Sequence, residues 1–151
     1  MMEVLIVLSV ILLDRVTKMA AMAWLAPVGS VPLWDGVFHL SYHTNTGAAF
    51  SILSGKTTLL GLFSVAISIA LIIYMVRYSK TLSKPSRLGL AFILGGAIGN
   101  GFDRLFYGAV VDFFDFRLIR FAIFNVADSF ITVGVVLLIL GFLAYDKEFL
   151  Q

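Results

Sequence analysis

Three aspartates lie in the run VVDFFDFRLIRFAIFNVADSF, residues 110–130: Asp112, Asp115 and Asp128. Most of their neighbours are apolar or aromatic. Carboxylates in such surroundings cannot all stay ionised cheaply, and two of them within a few ångströms push one pKa up until a proton is shared. A neutral acid beside a base is what an aspartate pair needs to drive water onto a peptide carbonyl, without metal or cofactor. Asp112 and Asp128 are the best candidates for such a pair, because they stand 16 positions apart, joined by a stretch able to double back. Asp115 lies three residues from Asp112, so in an extended strand the two point to opposite sides. Only one of them is expected to face Asp128.

Other chemistries find little material. Cys is absent, which excludes disulfides, thiolate catalysis and Cys-based metal sites. His39 and His43 stand four apart, but Leu40 occupies the place where a zinc protease helix carries Glu. They read as surface imidazoles. No GxSxG or P-loop occurs, and GAIGNG does not match a dinucleotide fingerprint. The net charge of +2, with no basic run, argues against nucleic acid as a partner. No metal or cofactor is expected.

The elements that must position the aspartates are membrane spans. Sixty per cent of the 151 residues are hydrophobic and the mean hydropathy is +1.01, more than a soluble core of this size needs. Four segments are long and apolar enough to span the bilayer: 3–23, 57–77, 87–103 and 125–145. The first reads as a retained span, not a cleaved leader: it opens with Glu3 and is interrupted by Asp14, Arg15 and Lys18. Residues 1–151 are thus expected to form a single membrane-embedded domain, all-α with four transmembrane helices. Arg77, Lys80, Lys84 and Arg87, with no acid among them, mark the second connection as cytoplasmic, and with it both termini. The connections 24–56 and 104–124 then lie outside. Within the first, VPLWDGVFHLSY (31–42) reads as a hairpin with a type I′ turn at Asp35-Gly36. Phe38, Leu40 and Tyr42 give it one apolar face. Gly47–Leu53 reads as a short interfacial helix, and 110–124 as extended.

Polar groups converge at one depth in this arrangement. Asp14, Arg15 and Lys18 sit in the outer half of the first span, Asn100, Asp103 and Arg104 end the third, and Asn125 and Asp128 begin the fourth. Each has a structural alternative. Asp14 and Lys18 are i,i+4 and can neutralise each other. Lys18 and Arg104 can snorkel, as Arg15 is expected to do. Asn125 fits an N-cap. Asp128 is harder to explain this way, because the helix dipole returns about 1 kcal/mol against a mid-bilayer cost of about 3. Ala91, Gly95 and Gly99 form a small-residue stripe that Asp103 continues, with Gly96, Asn100 and Arg104 on the neighbouring face. A proton-coupled transporter needs polar groups through the whole bilayer, and the inner halves lack them.

With these residues in place, the chain resembles the bacterial lipoprotein signal peptidase (signal peptidase II) family over nearly its whole length. DRVTK (14–18), NTGAAFS (45–51), GGAIGNGFDR (95–104), VVDFFDF (110–116) and FNVADS (124–129) are similar to five family motifs in order. Arg15 stands where many relatives have Gln. The resemblance implies a four-helix membrane aspartic peptidase with a small extracytoplasmic β-cradle and an interfacial helix. It implies cleavage of lipidated prolipoproteins just before the lipid-modified Cys, with Asp112 and Asp128 as the catalytic pair. By the same resemblance Asp14, Lys18, Asn45, Gly47, Asn100, Asp103, Arg104 and Asn125 orient the pair or hold substrate. A globomycin-like inhibitor is expected to block the site. The expected setting is the bacterial cell membrane, in contact with lipid, as a monomer with its active site at the outer leaflet.

Overall fold

A computed structural model describes residues 1–48 and 52–146. It contains four long helices, α1 (Met2–Trp24), α2 (Thr57–Arg77), α3 (Lys84–Phe106) and α4 (Val126–Ala144). Three strands, β1 (Ser30–Trp34), β2 (Phe38–Asn45) and β3 (Val110–Phe116), form an antiparallel sheet in that order. α2 and α4, with mean hydropathy 2.6 and 2.4, are long and apolar enough to cross a membrane. α1 and α3 are as long but carry the charged groups: Asp14, Arg15 and Lys18 on one, Asp103 and Arg104 on the other.

α3 overruns the expected 87–103 at both ends, because its limits are set by capping and not by apolarity. Ser83 caps it, accepting from the Ser86 N–H at 3.4 Å, with Pro85 in the first turn. The Asp146 carboxylate, just past α4, accepts from the Ser83 N–H at 2.9 Å and from the Ser83 and Ser86 hydroxyls. An anion at a helix N-terminus is favoured by the dipole.

α3 is the central helix and packs against the other three, whereas α2 makes almost no contact with α1 or α4. The small-residue faces explain the packing. A Cβ on Gly96 would fall 2.5 Å from the Ala127 carbonyl oxygen of α4, and one on Gly99 2.7 Å from Asp14 Oδ2 of α1. Backbones that close need no side chain between them.

The hairpin differs from expectation in its turn. Val37 N–H donates to the Trp34 carbonyl at 3.0 Å, and only Gly36 has positive φ (+70°). A type I′ turn needs positive φ at both central residues, so this is the type II pattern. The alternation of β2 is as expected, but both faces are used. Leu40 and Tyr42 pack with Ala21, Leu25, Phe113 and Val126, while His39 and Ser41 are buried on the other face. His39 is therefore no surface imidazole; it is 5 % exposed, within 3.4 Å of Ser30 Oγ and accepting from the Gly36 N–H at 3.3 Å. Asp115 and Arg117 complete this polar pocket, with Ser41 Oγ and Arg117 Nε each donating to Asp115 Oδ2 at 2.8 Å. The 110–124 stretch is extended only to Phe116. A 3-10 turn, Arg117–Ile119, and left-handed Arg120 (φ 49°) reverse it, and Phe124 bridges back to Phe114. The interfacial helix expected at 47–53 has its centre, 49–51, outside the described residues; Gly47 and Ala48 form a bend and residues 52–55 a turn.

Candidate active site

The reversal after β3 brings Asp112 to the N-terminus of α4. There Asn125 is the N-cap of a capping box: its Oδ1 accepts from the Asp128 N–H at 3.0 Å, and Asp128 Oδ2 accepts from the Asn125 N–H at 3.2 Å. The cap thus holds the Asp128 carboxyl at the helix end. The Asn125 side chain is committed on both sides, since its Nδ2 donates to Asp112 Oδ1 at 2.7 Å and to Asn100 Oδ1 at 3.2 Å. Asn100 Nδ2 donates to Asp128 Oδ1 at 2.8 Å. Two asparagines therefore tie the two aspartates together. Asn45, at the end of β2, accepts from the Gly47 N–H at 2.9 Å, which turns its Nδ2 onto Asp112 Oδ2 at 3.0 Å.

Behind this layer lies Lys18, 1 % exposed. Its Nζ donates to Asp14 Oδ2 at 2.8 Å, Asn100 Oδ1 at 2.8 Å and Asp103 Oδ2 at 2.7 Å, which uses all three ammonium protons. It does not snorkel: three acceptors replace the water it has lost. Asp14 Oδ1 accepts from the Ala127 N–H at 3.0 Å, so α1 also steadies the start of α4. Arg15 does not snorkel either. It donates to Asp103 Oδ1 at 3.2 Å and to the Tyr107 hydroxyl at 2.6 Å, with its guanidinium 4.6 Å from the Tyr107 ring centroid. Tyr107 carried no signal in the sequence, because its partner is 92 residues away. Arg104 is half-buried and donates to the Gly47 carbonyl at 3.2 Å, and its Nε is buried with no hydrogen-bond partner.

Asp112 and Asp128 line one cavity of about 480 Å³, with Asn45, Arg104, residues 121–124 and Thr132. Asp112 is 2 % exposed. Burial, reinforced by the charge of Asp128, pushes its carboxyl up to about 6. Asp115 points away into the cradle, where Arg117 and Ser41 hold its carboxyl below the usual range against the opposing effect of burial. Among the described residues, no three His, Cys, Asp or Glu converge in a way that could hold a metal ion.

Two carboxyls facing one partly dry cavity, at the end of a bundle with helices long and apolar enough to cross a membrane, fit one class, the membrane-bound aspartic peptidases. A family model described as Signal peptidase (SPase) II matches residues 6–144. The lipoprotein signal peptidase of Nostoc punctiforme is 49 % identical over 129 residues, covering 85 % of this chain and 81 % of that protein. That of Caldanaerobacter subterraneus subsp. tengcongensis is 46 % identical over 146 residues, covering 97 % of each. Two solved structures, both described as a bacterial membrane enzyme, superpose with TM-scores of 0.84 and 0.82 at 33 % identity. They cover 94 % and 95 % of this chain, and 87 % and 94 % of their own. The chain belongs to the signal peptidase II family.

Proposed function

We propose that this chain is an aspartic endopeptidase that removes the signal peptide from diacylglyceryl-modified prolipoproteins, cutting just before the lipidated cysteine. The observation that carries this reading is the shared cavity: Asp112 and Asp128 both line it, tied to each other through Asn125 and Asn100. One proton resides on the pair. The ionised carboxyl takes a proton from water as the water oxygen adds to the scissile carbonyl carbon. The other carboxyl gives its proton to the carbonyl oxygen. When the tetrahedral species collapses, the C–N bond breaks and the leaving cysteine nitrogen takes up a proton from the pair.

Asn45, Asn100 and Asn125 orient the carboxyls, and Lys18 with Asp14 and Asp103 anchors Asn100 and the start of α4. Gly47 and Arg104 face the substrate backbone, the unpartnered Arg104 Nε being a donor held ready for a carbonyl. All four helices span the membrane as one domain, with both termini cytoplasmic, the sheet as a cradle at the outer leaflet, and the chain acting as a monomer among lipids. A globomycin-like inhibitor competes for the cavity. The test is a synthetic diacylated lipobox peptide offered to the wild type and to Asp112→Asn and Asp128→Asn. Each substitution is expected to cut turnover by roughly 10³-fold or more with the fold intact in detergent. Full turnover by both variants would refute the pair.

A further inference from the structure

At the end of the bundle opposite the aspartates, α1 and α2 part. Both lie close to α3, but α1 packs on it without touching α2 to any extent. The cleft between them ends in a cavity of about 270 Å³, lined by Glu3 and Val4 of α1, Met75 and Val76 of α2, Ser79 and Arg87. In the proposed orientation this is the depth of the cytoplasmic leaflet.

The cavity holds one acid and one base. Glu3 Oε1 touches the Arg87 guanidinium, and the two side chains are 13 % and 34 % exposed. That contact does not satisfy the acid: Glu3 Oε1 is buried and meets no donor in hydrogen-bonding geometry among the described residues. A carboxylate has about four acceptor positions, and burying one without a donor is costly. Asp103, the buried acid at the other end of α3, is matched in full by comparison. It accepts from Arg15 at Oδ1 and from Lys18 at Oδ2.

The group that completes Glu3 is a small cation with several N–H donors, and a primary ammonium has three. Arg87 remains one-third exposed, with guanidinium donors for an anion beside it. An ammonium and a phosphate a few bonds apart make the headgroup of a zwitterionic phospholipid. The lining favours a lipid over a soluble compound. Val4 and Val76, 60 % and 72 % exposed, give the cavity an apolar rim. Sites that enclose a whole ligand measure about 300–1,000 Å³, so this one suits a headgroup whose acyl chains lie outside, along α1 and α2. Arg77, Lys80 and Lys84, all exposed, flank it with charge that attracts phosphate.

We propose that the inner end of the α1–α2 cleft binds a phospholipid with a primary ammonium headgroup, the ammonium on Glu3 and the phosphate on Arg87. The site is independent of the peptidase reading.

Native mass spectrometry of the full chain, released from mild detergent, reads lipid retention without turnover. Three dioleoyl lipids are titrated: phosphatidylethanolamine, phosphatidylcholine, whose ammonium carries no N–H, and phosphatidylglycerol, which has no cation. The wild type is expected to bind phosphatidylethanolamine about tenfold more tightly than either, or better. Glu3→Gln is expected to lose that preference and to favour phosphatidylglycerol, because no acid then faces the phosphate. Equal affinity of the wild type for phosphatidylethanolamine and phosphatidylcholine overturns the proposal. So does phosphatidylglycerol as its tightest lipid, which reduces the site to a basic surface, and so does an unchanged preference in Glu3→Gln. Glycerophosphoethanolamine, the same headgroup without acyl chains, is expected not to displace the lipid; displacement at equal concentration overturns the assignment to a lipid. Val76→Trp fills the cavity from its rim and leaves the ion pair in place. It is expected to weaken phosphatidylethanolamine binding by about tenfold or more, and Leu140→Trp, on the exposed side of α4, by less than about twofold. If Glu3→Gln does not fold, that pair decides: equal binding by the two tryptophan variants overturns the site.

Discussion

Lys18 is the side chain on which the buried charge of this molecule balances. Asp14, Asp103 and Lys18 are at most 4 % exposed. Removing one partner of a buried pair leaves the other uncompensated, which costs about 3–5 kcal/mol. Lys18→Met is therefore expected to destabilise the protein by about that amount, read as a large drop in thermal midpoint in micelles, whereas the double variant Lys18→Met/Asp103→Asn recovers part of it. Asp112 acts with the opposite sign. The fold pushes its carboxyl up to about 6, from an ordinary value of 3.8. Between those pH values the folded chain holds more protons than the unfolded one, so this residue's contribution to stability falls as pH rises and stays lost above 6. The full difference is about 3 kcal/mol. Asp112→Asn carries no such burden, so its stability relative to wild type is expected to shift in its favour by about that amount between pH 4 and pH 8. Parallel unfolding curves at the two pH values would show that the site does not hold Asp112 protonated. The two aspartates were legible in the sequence because an acid in an apolar run is costly and so demands a reason. His39 and Arg15 were less legible because what settles a polar side chain is its partners, and folding supplies those: the hairpin brings Ser30 and Gly36 onto His39, and Arg15 meets Asp103 and Tyr107 across 88 and 92 residues.

Between elements, the closest approach near the site is that of α3 to α4. At Gly96 the neighbour is backbone, the Ala127 carbonyl, and that oxygen cannot move without moving the first turn of α4 and Asp128 with it. Gly96→Ala is expected to displace the aspartate and lower kcat by about tenfold while KM changes little. At Gly95 the added methyl meets the Val10 side chain at 2.8 Å and, at 3.2 Å, the Val7 carbonyl of α1. Gly95→Ala is expected to lower stability by about 1–3 kcal/mol with less effect on kcat, because α1 and not α4 must give. A kcat unchanged in Gly96→Ala would mean that α4 tolerates the shift. In the cradle, Arg117→Ala leaves Asp115 and two serine hydroxyls short of their shared donor, at an expected cost of about 1–3 kcal/mol. Element types were readable because helices of this length announce themselves by apolarity and strands by alternation. Element ends were less so. α3 begins where Ser83 and Asp146 cap it, and the first of its turns, KPSR, carries no apolar signal. The turn at Gly36 belongs to type II where the dipeptide alone suggested type I′, because Trp34 pairs with Phe38 and the loop has three residues.

Across the whole molecule, the ends of the helices sort onto two sides. Glu3 at the start of α1 pairs with Arg87 at the start of α3, and Asp146 after α4 pairs with Ser83 and Ser86. The end of α2 joins them through the short 78–83 connection. At the far end lie the three strands, the aspartate pair and the Lys18 cluster. α1 and α3 thus run one way, α2 and α4 the other, and only the sign of the membrane side is left to fix. The proposed orientation rests on Arg77, Lys80, Lys84 and Arg87, because cationic connections are retained in the cytoplasm. A chain without cysteine makes the assignment measurable. Ser79 in the basic connection and His43 on β2, the cross-strand partner of Asp112, are both exposed, and labelling is read without turnover. With a membrane-impermeant maleimide on spheroplasts, His43→Cys is expected to label at once and Ser79→Cys only after permeabilisation. The reverse pattern would place the peptidase cavity on the cytoplasmic side, where a lipid-modified precursor anchored in the outer leaflet could not reach it.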